Sequence, residues 1–214
     1  MDEKQQAGTP VPPKAKRVKK ELTLHGHTRT DYYYWLNQRE NPEVVKYLEA
    51  ENKYLETVLK PVKKLRETLY KEIVARIEED ERKVPYLFNG YYYYKRYEKG
   101  GEYPIYCRKK GSTEAKEEII LDVGQSAKGH SYYKARGLAV SPDNKMLAFG
   151  EDTVSRRKYA IRFKNLETGE ILPVKIENTD GSPVWANDNK TVFYAILDKT
   201  LRSYKVFKHR LGQD

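Results

Sequence analysis

A mainly β chain, assembled from repeated four-stranded antiparallel units and preceded by a helical segment, is the fold class this sequence predicts. Three observations predict it. The first is an echo. Asp143-Asn144-Lys145 with Leu147-Ala148-Phe149 returns 45 residues later as Asp188-Asn189-Lys190 with Val192-Phe193-Tyr194. At the same offset, Tyr159-Ala160-Ile161 and Leu166 return as Tyr204-Lys205-Val206 and Leu211. The second is a fainter copy upstream at an offset of 56, where Tyr91-Tyr92-Tyr93 matches Leu147-Ala148-Phe149 and Tyr103-Pro104-Ile105 matches Tyr159-Ala160-Ile161. The third is punctuation by polar turns such as Asn89-Gly90, Ser141-Pro142-Asp143-Asn144 and Glu167-Thr168-Gly169-Glu170, whose residues tolerate the backbone angles tight turns demand. Short strands repeating near every 45 residues are the signature of propeller blades. The expectation is an incomplete β-propeller over residues 83–214, with blades at about 84–128, 135–180 and 181–214 and the last unfinished.

Taken in order, residues 1–20 carry Pro10, Pro12 and Pro13 and then alternate Lys with apolar residues. They read as a flexible basic arm with too little apolar area to offset the entropy of ordering. Residues 21–82 read as a helical wrapper. Asp31-Tyr32-Tyr33-Tyr34-Trp35-Leu36 is an aromatic cluster too large to leave in water. Asn41-Pro42-Glu43 is a helix start, with Asn as cap, Pro at the first helical position and Glu near the positive end of the dipole. Val44, Tyr47, Leu48, Leu55, Val58 and Leu59 then fall at helical spacing. Lys60-Pro61 interrupts the pattern, and Val62, Leu65, Leu69, Ile73 and Ile77 continue it in a second helix. Pro85 marks the change from a period of 3.6 to a period of two.

In the first unit, strands are expected at Tyr86–Phe88, Tyr91–Tyr94, Tyr103–Lys109 and Glu118–Asp122. The second unit is expected at Gly137–Val140, Met146–Gly150, Tyr159–Leu166 and Glu170–Ile176. The third opens at Pro183-Val184-Trp185 and continues through Thr191–Leu197 and Tyr204–Leu211, and its fourth strand falls past Asp214.

Composition narrows the function classes. The chain has 214 residues, 38% of them apolar and 34% charged, and contains no run of 18 apolar residues that would suggest a membrane-spanning helix. Residues 1–20 lack the apolar core of a secretory signal, and the single cysteine, Cys107, reads as a small buried hydrophobe in a strand. A cytoplasmic location is the resulting expectation. The formal charge of +10 raises the question of nucleic acid, but 41 Lys and Arg are scattered among 31 acids, with local clusters at Lys14–Lys20 and Arg108–Lys110. Dedicated binders concentrate charge along one helix or groove, and the 19 tyrosines are explained by their fit to pleated surfaces. Neither a nucleic acid nor a membrane is expected as a partner.

No catalytic, cofactor-binding or metal-binding residues are assigned. His25-Gly26-His27 would place two imidazoles on one side of an extended segment, which falls short of the three or four ligands zinc takes. Of the seven serines, none stands in a Gly-x-Ser-x-Gly frame. His130 and Ser131 are adjacent, and neighbouring side chains on an extended chain point opposite ways. The run Glu78-Glu79-Asp80-Glu81 reads as a solvated helix end.

A family resemblance spans nearly the whole chain, from about Pro12 to Asp214. The stretch from His25 to Leu36, followed by Asn41-Pro42-Glu43-Val44 and Tyr47-Leu48-Glu49-Ala50-Glu51-Asn52, is similar to the N-terminal segment of the prolyl oligopeptidase family. Gly101-Glu102-Tyr103-Pro104-Ile105-Tyr106-Cys107-Arg108-Lys109-Lys110-Gly111, Ala139-Val140-Ser141-Pro142-Asp143-Asn144 and Trp185-Ala186-Asn187-Asp188-Asn189-Lys190-Thr191 narrow the resemblance to the oligopeptidase B group. The resemblance implies a seven-bladed propeller paired with an α/β-hydrolase domain. That domain carries the Ser, Asp and His of a serine peptidase and the acidic pocket for a basic side chain. It implies a peptide substrate cut after Arg or Lys, the hydrolase domain as partner, no cofactor, and no triad within these 214 residues. The chain then stands for the propeller-bearing N-terminal part, inactive by itself, with an open blade edge available for self-association. The alternative is a free-standing partial propeller that binds a protein partner.

Overall fold

The computed structural model describes residues 10–77 and 83–213. The chain divides after Ile77 into two compact units. The acidic run Glu78–Glu81 and the first nine residues of the basic arm lie outside the described residues.

The first unit opens with a hairpin of β1 (Lys20–Leu24) and β2 (His27–Asp31), in register from Lys20↔Asp31 to Leu24↔His27. His25 and Gly26 form the two-residue turn at φ 52° and 76°, the left-handed pair that matches the twist of the flanking strands. The stretch expected to run extended therefore folds back on itself, with His25 in the turn and His27 opening β2. Within the basic arm, the Val18 N–H donates to the Tyr32 carbonyl at 2.9 Å. The Trp35 indole donates to the Lys16 carbonyl at 3.0 Å. The Arg17 guanidinium lies 4.1 Å over the Tyr32 ring, and Lys16 pairs with Glu43. Of the aromatic cluster, Trp35 is buried, packed edge-on to Tyr47, while Tyr32–Tyr34 remain partly open to solvent.

α1 (Pro42–Leu59) starts where the sequence places it, with the Asn41 side chain accepting the Glu43 N–H and Pro42 in the first turn. Pro61 has no N–H to offer the helix ladder, and a 3-10 turn at Lys60–Val62 separates α1 from α2 (Lys63–Val74). The apolar stripe is present on both helices, where Leu48, Leu55, Leu65, Leu69 and Ile73 are exposed, while Ile77, expected in the second helix, lies past its end and is also exposed.

The second unit is mainly β. β3 (Tyr86–Phe88), β4 (Tyr91–Arg96), β5 (Ile105–Lys110) and β6 (Glu117–Asp122) form an antiparallel four-stranded sheet in that order. A single helical turn not foreseen from the sequence, α3 (Val123–Ser126), follows and is capped by Asp122 accepting the Gln125 N–H. β7 (Lys134–Val140), β8 (Met146–Asp152), β9 (Tyr159–Asn165) and β10 (Ile171–Thr179) make the next four strands, and β11 (Val184–Trp185), β12 (Thr191–Leu197) and β13 (Ser203–Arg210) the last three. One ladder position, Thr179↔Ile196, joins β10 to β12, so the second and third units share one curled sheet. The architecture is that of an incomplete propeller.

Period-two alternation on β8 explains why Met146–Phe149, its first four residues, are all apolar. Leu147 and Phe149 pack toward the first four strands, with Leu121, Val123 and Tyr133. Ala148, between them, faces the other way and packs with Ile161, Phe163 and Val192. A middle strand covered on both faces has no solvent side to keep polar. The same logic corrects the upstream register. Tyr91 and Tyr93 pack with Ile120 toward Leu138 and Val140 of the following unit, as Met146 and Ala148 pack toward theirs. Tyr93 thus corresponds to Ala148 at an offset of 55, and the offset of 56 is one residue out, which on a strand exchanges the two faces.

Candidate functional site

Each of the three units presents its first strand to one concavity. β3, β7 and β11 line it together, with Tyr86 and Phe88 from the first, Arg136 and Leu138 from the second, and Val184 and Trp185 from the third. It is a half-open groove of about 1400 Å³, room for several residues of extended peptide.

Three local devices hold the strands there. At Asn89-Gly90 the chain reverses through φ 46° and 79°, and the Asn89 amide donates to the Pro142 carbonyl at 2.7 Å, tying β3 to the end of β7. On β7 the ladder slips between Arg136 and Ala139. Gly137, in this slip, sits at φ 61°, and a Cβ there would lie 2.0 Å from the Gly181 carbonyl oxygen. Only glycine lets the segment leading into β11 pass this close over β7. On β11, the Trp185 indole donates to the Ala139 carbonyl at 2.9 Å and its ring meets Phe163 edge-on at 6.0 Å.

Among the described residues, the charge on this wall has one sign. Lys83, Lys95 and Arg136 line it, and no described lining residue is Asp or Glu. Arg136 extends over the Tyr159 ring at 5.2 Å. Behind the wall a partly buried network braces the first sheet. Arg96 donates to Glu117 at 3.1 Å, and Tyr94 donates to the same carboxylate. Burial by itself would raise the Glu117 carboxyl, but the hydrogen bonds from Arg96 and Tyr94 prevail and hold it below its ordinary value. Arg108 donates to Glu118 and to the Asn144 carbonyl, and stacks 4.2 Å over Tyr91.

The residues weighed from the sequence are not brought together here. His25 and His27 belong to the hairpin of the first unit. His130 packs its ring against Tyr133 at 5.7 Å, and neither it nor Ser131 lines the concavity. Cys107 is fully buried, and burial, reinforced by the Glu117 charge, pushes its thiol up to about 12. A thiol held protonated is not a nucleophile. The wall itself escaped sequence reading. Its signal lay in the three first strands, two of them shorter than the strands behind them, and nothing in their residue types distinguishes a channel-facing strand from an edge strand.

The arrangement can hold and exclude. Residues 12–214 match the family model described as prolyl oligopeptidase, N-terminal β-propeller domain. Over 206 residues the chain is 42% identical to dipeptidyl aminopeptidase BI of Pseudoxanthomonas mexicana, covering 88% of this chain and 28% of that protein. It is 35% identical over 209 residues to protease 2 of Moraxella lacunata, covering 94% and 30%. Among solved structures it is similar to oligopeptidase B from Leishmania major, with a TM-score of 0.87 at 29% identity, covering 95% of this chain and 31% of that one. Oligopeptidase B from Trypanosoma brucei with covalently bound antipain, in its closed form, gives 0.84 at 30%, covering 94% and 31%. The chain thus spans less than a third of the length of these relatives.

Proposed function

This chain belongs to the prolyl oligopeptidase family as its N-terminal propeller part, and we propose that it serves a serine peptidase of the oligopeptidase B kind that cuts short peptides after Arg or Lys. In this reading the α/β-hydrolase domain supplies the Ser, Asp and His, and the present chain supplies admission. The concavity along β3, β7 and β11 is one side of the passage a peptide must traverse, so its dimensions select for short substrates. That observation carries the reading: three successive units turn their first strands to a common space. α1 and α2 are the wrapper, and their exposed leucines and isoleucines are covered by the hydrolase domain. Burying such side chains stabilises by roughly 1.5–3 kcal/mol each, against a net domain stability of about 5–15 kcal/mol, so the helices gain their packing from that partner. The 214-residue chain by itself is inactive.

The test is a blocked fluorogenic Arg-amide, given to this chain by itself and to the protein that carries the hydrolase domain. Turnover is expected only from the latter and is abolished by a serine-directed inhibitor. Serine-dependent cleavage by the 214 residues in isolation would overturn the reading. A second reading has a specific basis in the 42% identity to a protein named dipeptidyl aminopeptidase. A peptidase that removes dipeptides needs a free amino terminus, so it would cleave unblocked dipeptidyl amides and leave the blocked Arg-amide intact.

A further inference from the structure

The passage wall is mismatched to the substrate just proposed. A peptide with Arg or Lys at the cut is cationic there, yet Lys83 and Arg136 line the concavity, and none of the described lining residues is Asp or Glu. The chain as a whole carries +10, and a concave low-dielectric wall focuses the field of the charges on it. Beside the cations stand apolar surfaces open to solvent: Tyr86, Phe88 and Val184 are each at least 60% exposed. Trp185, pinned by its indole bond to Ala139, adds a fixed ring. A wall of this composition attracts carboxylates and apolar side chains and repels Lys and Arg.

We propose that this wall holds the part of the peptide remote from the cut by its carboxylates, so that preferred substrates pair a basic residue at the cut with acidic character away from it. The inference rests on the proposed peptidase function and names a second selection on the same peptide. Charge complementarity argues for this occupant: a peptide basic throughout meets repulsion in the passage, and one acidic at its far end is drawn in. The carboxylates have two sources, acidic side chains and the peptide's own terminal carboxylate.

The experiment uses the intact peptidase bearing this chain and internally quenched peptides of equal length, each with one Arg and with Glu-Glu, Gln-Gln or Lys-Lys at the far end. Each is made as a free acid and as a terminal amide. The expected result at low salt is a KM on the order of five-fold lower for the Glu peptide than for the Gln peptide, with the Lys peptide shifted the other way, kcat similar, and the differences shrinking as salt screens them. A gain that persists in the amides assigns it to side chains, and one confined to the free acids assigns it to the terminus. Arg136→Glu and Lys83→Glu should each abolish or reverse the preference. Lys199→Glu, in the exposed turn between β12 and β13 and away from the wall, should leave it unchanged. Lys83 serves as the second probe because Arg136 also packs on Tyr159. Indifference to the distal residues, or a preference that survives both wall substitutions, overturns the proposal. If no Arg peptide is cut at all, the peptidase reading fails, and the wall is judged by fluorescence anisotropy of labelled Glu-rich and Lys-rich peptides. Tighter binding of the Glu-rich probe, lost in Arg136→Glu, sustains the proposal, and equal binding ends it.

Discussion

The side-chain oxygen of Asn189 accepts the backbone N–H of Asp143 at 2.9 Å, and the two residues occupy the same turn in consecutive four-stranded units. One unit earlier the relationship recurs. Asn144 donates to the Asn89 carbonyl, and Asn89 donates to the Asn144 side-chain oxygen at 3.2 Å and to the Pro142 carbonyl. The three asparagines stand at φ 58°, 62° and 46°, in the left-handed region that Asn tolerates better than other side chains. The residue that lets each first hairpin turn thus also fastens that turn to its neighbour.

Replacing Asn189 separates the two roles. Asn189→Gly keeps the backbone free to turn and loses the cross-unit bond, which is expected to cost about 0.5–1.5 kcal/mol. Asn189→Ala loses the same bond and leaves a Cβ at positive φ without the polar side chain that makes Asn tolerant there, which places it roughly 1 kcal/mol below the glycine variant. Urea midpoints of the intact protein at unchanged slope check the ranking. A glycine variant as stable as the parent would show that the bond between turns contributes nothing.

The close passage at β7 gives a larger effect. A Cβ on Gly137 would lie 2.0 Å from the Gly181 oxygen, and one on Gly181 would lie 2.6 Å from Cγ of Tyr159. These contacts cannot be relieved without moving backbone or a buried ring, so Gly137→Ala and Gly181→Ala should each destabilise by about 4 kcal/mol or more. Gly169 shares the positive φ, at 80°, but a Cβ there meets nothing within 4 Å. Gly169→Ala isolates backbone strain and should cost about 1 kcal/mol. Comparable losses at all three positions would remove the close passage as the cause.

The repeat was legible because β8 is apolar on both faces and its turn recurs at Asp188-Asn189. Strand identity, the Asn41 cap and the Pro61 break follow from local chemistry that a sequence displays directly. The register of Tyr91–Tyr94 was not legible. Four consecutive tyrosines carry no alternation, so nothing in the residues says which pair faces the next unit. The hairpin at His25-Gly26 was missed because His is a weak turn residue and the strands beside it, Lys20–Leu24 and His27–Asp31, are almost wholly exposed. The concave wall was hidden for another reason. Lys83 and Arg136 look like ordinary surface charge until the topology places β3, β7 and β11 around one space.

Glu117 should govern part of the acid response. Its carboxyl is held below the ordinary value of 4.5 by Arg96 and Tyr94, so its contribution is full above the unfolded value and is lost as the pH falls through the folded one. Glu117→Gln, which resembles the protonated acid, is expected to cost about 1–2 kcal/mol near neutrality. Below pH 4.5 the parent should lose stability faster than the variant, and the two should converge. Urea titrations between pH 7 and pH 3 test this, and parallel curves would detach Glu117 from the acid transition.

Cys107 should act at the opposite end of the scale. Burial first, and the Glu117 charge second, raise its thiol from about 9 to about 12. A thiol raised on folding contributes stability that is complete below the unfolded value, near 9, and is lost as the pH rises toward the folded one, because the unfolded chain ionises first. Burial also raises Tyr106 and Tyr133, so the alkaline loss has several sources and the informative quantity is a difference. Cys107→Ala should cost about 1 kcal/mol at neutral pH through the lost sulfur and should show a shallower decline than the parent between pH 9 and pH 11. In the native parent at pH 8, a thiol reagent should react only as fast as β5 opens. Added urea should accelerate the reaction in step with unfolding. Reaction at the rate of a free thiol under native conditions would mean that the first sheet opens readily at β5, and the alkaline difference between parent and variant would then vanish as well.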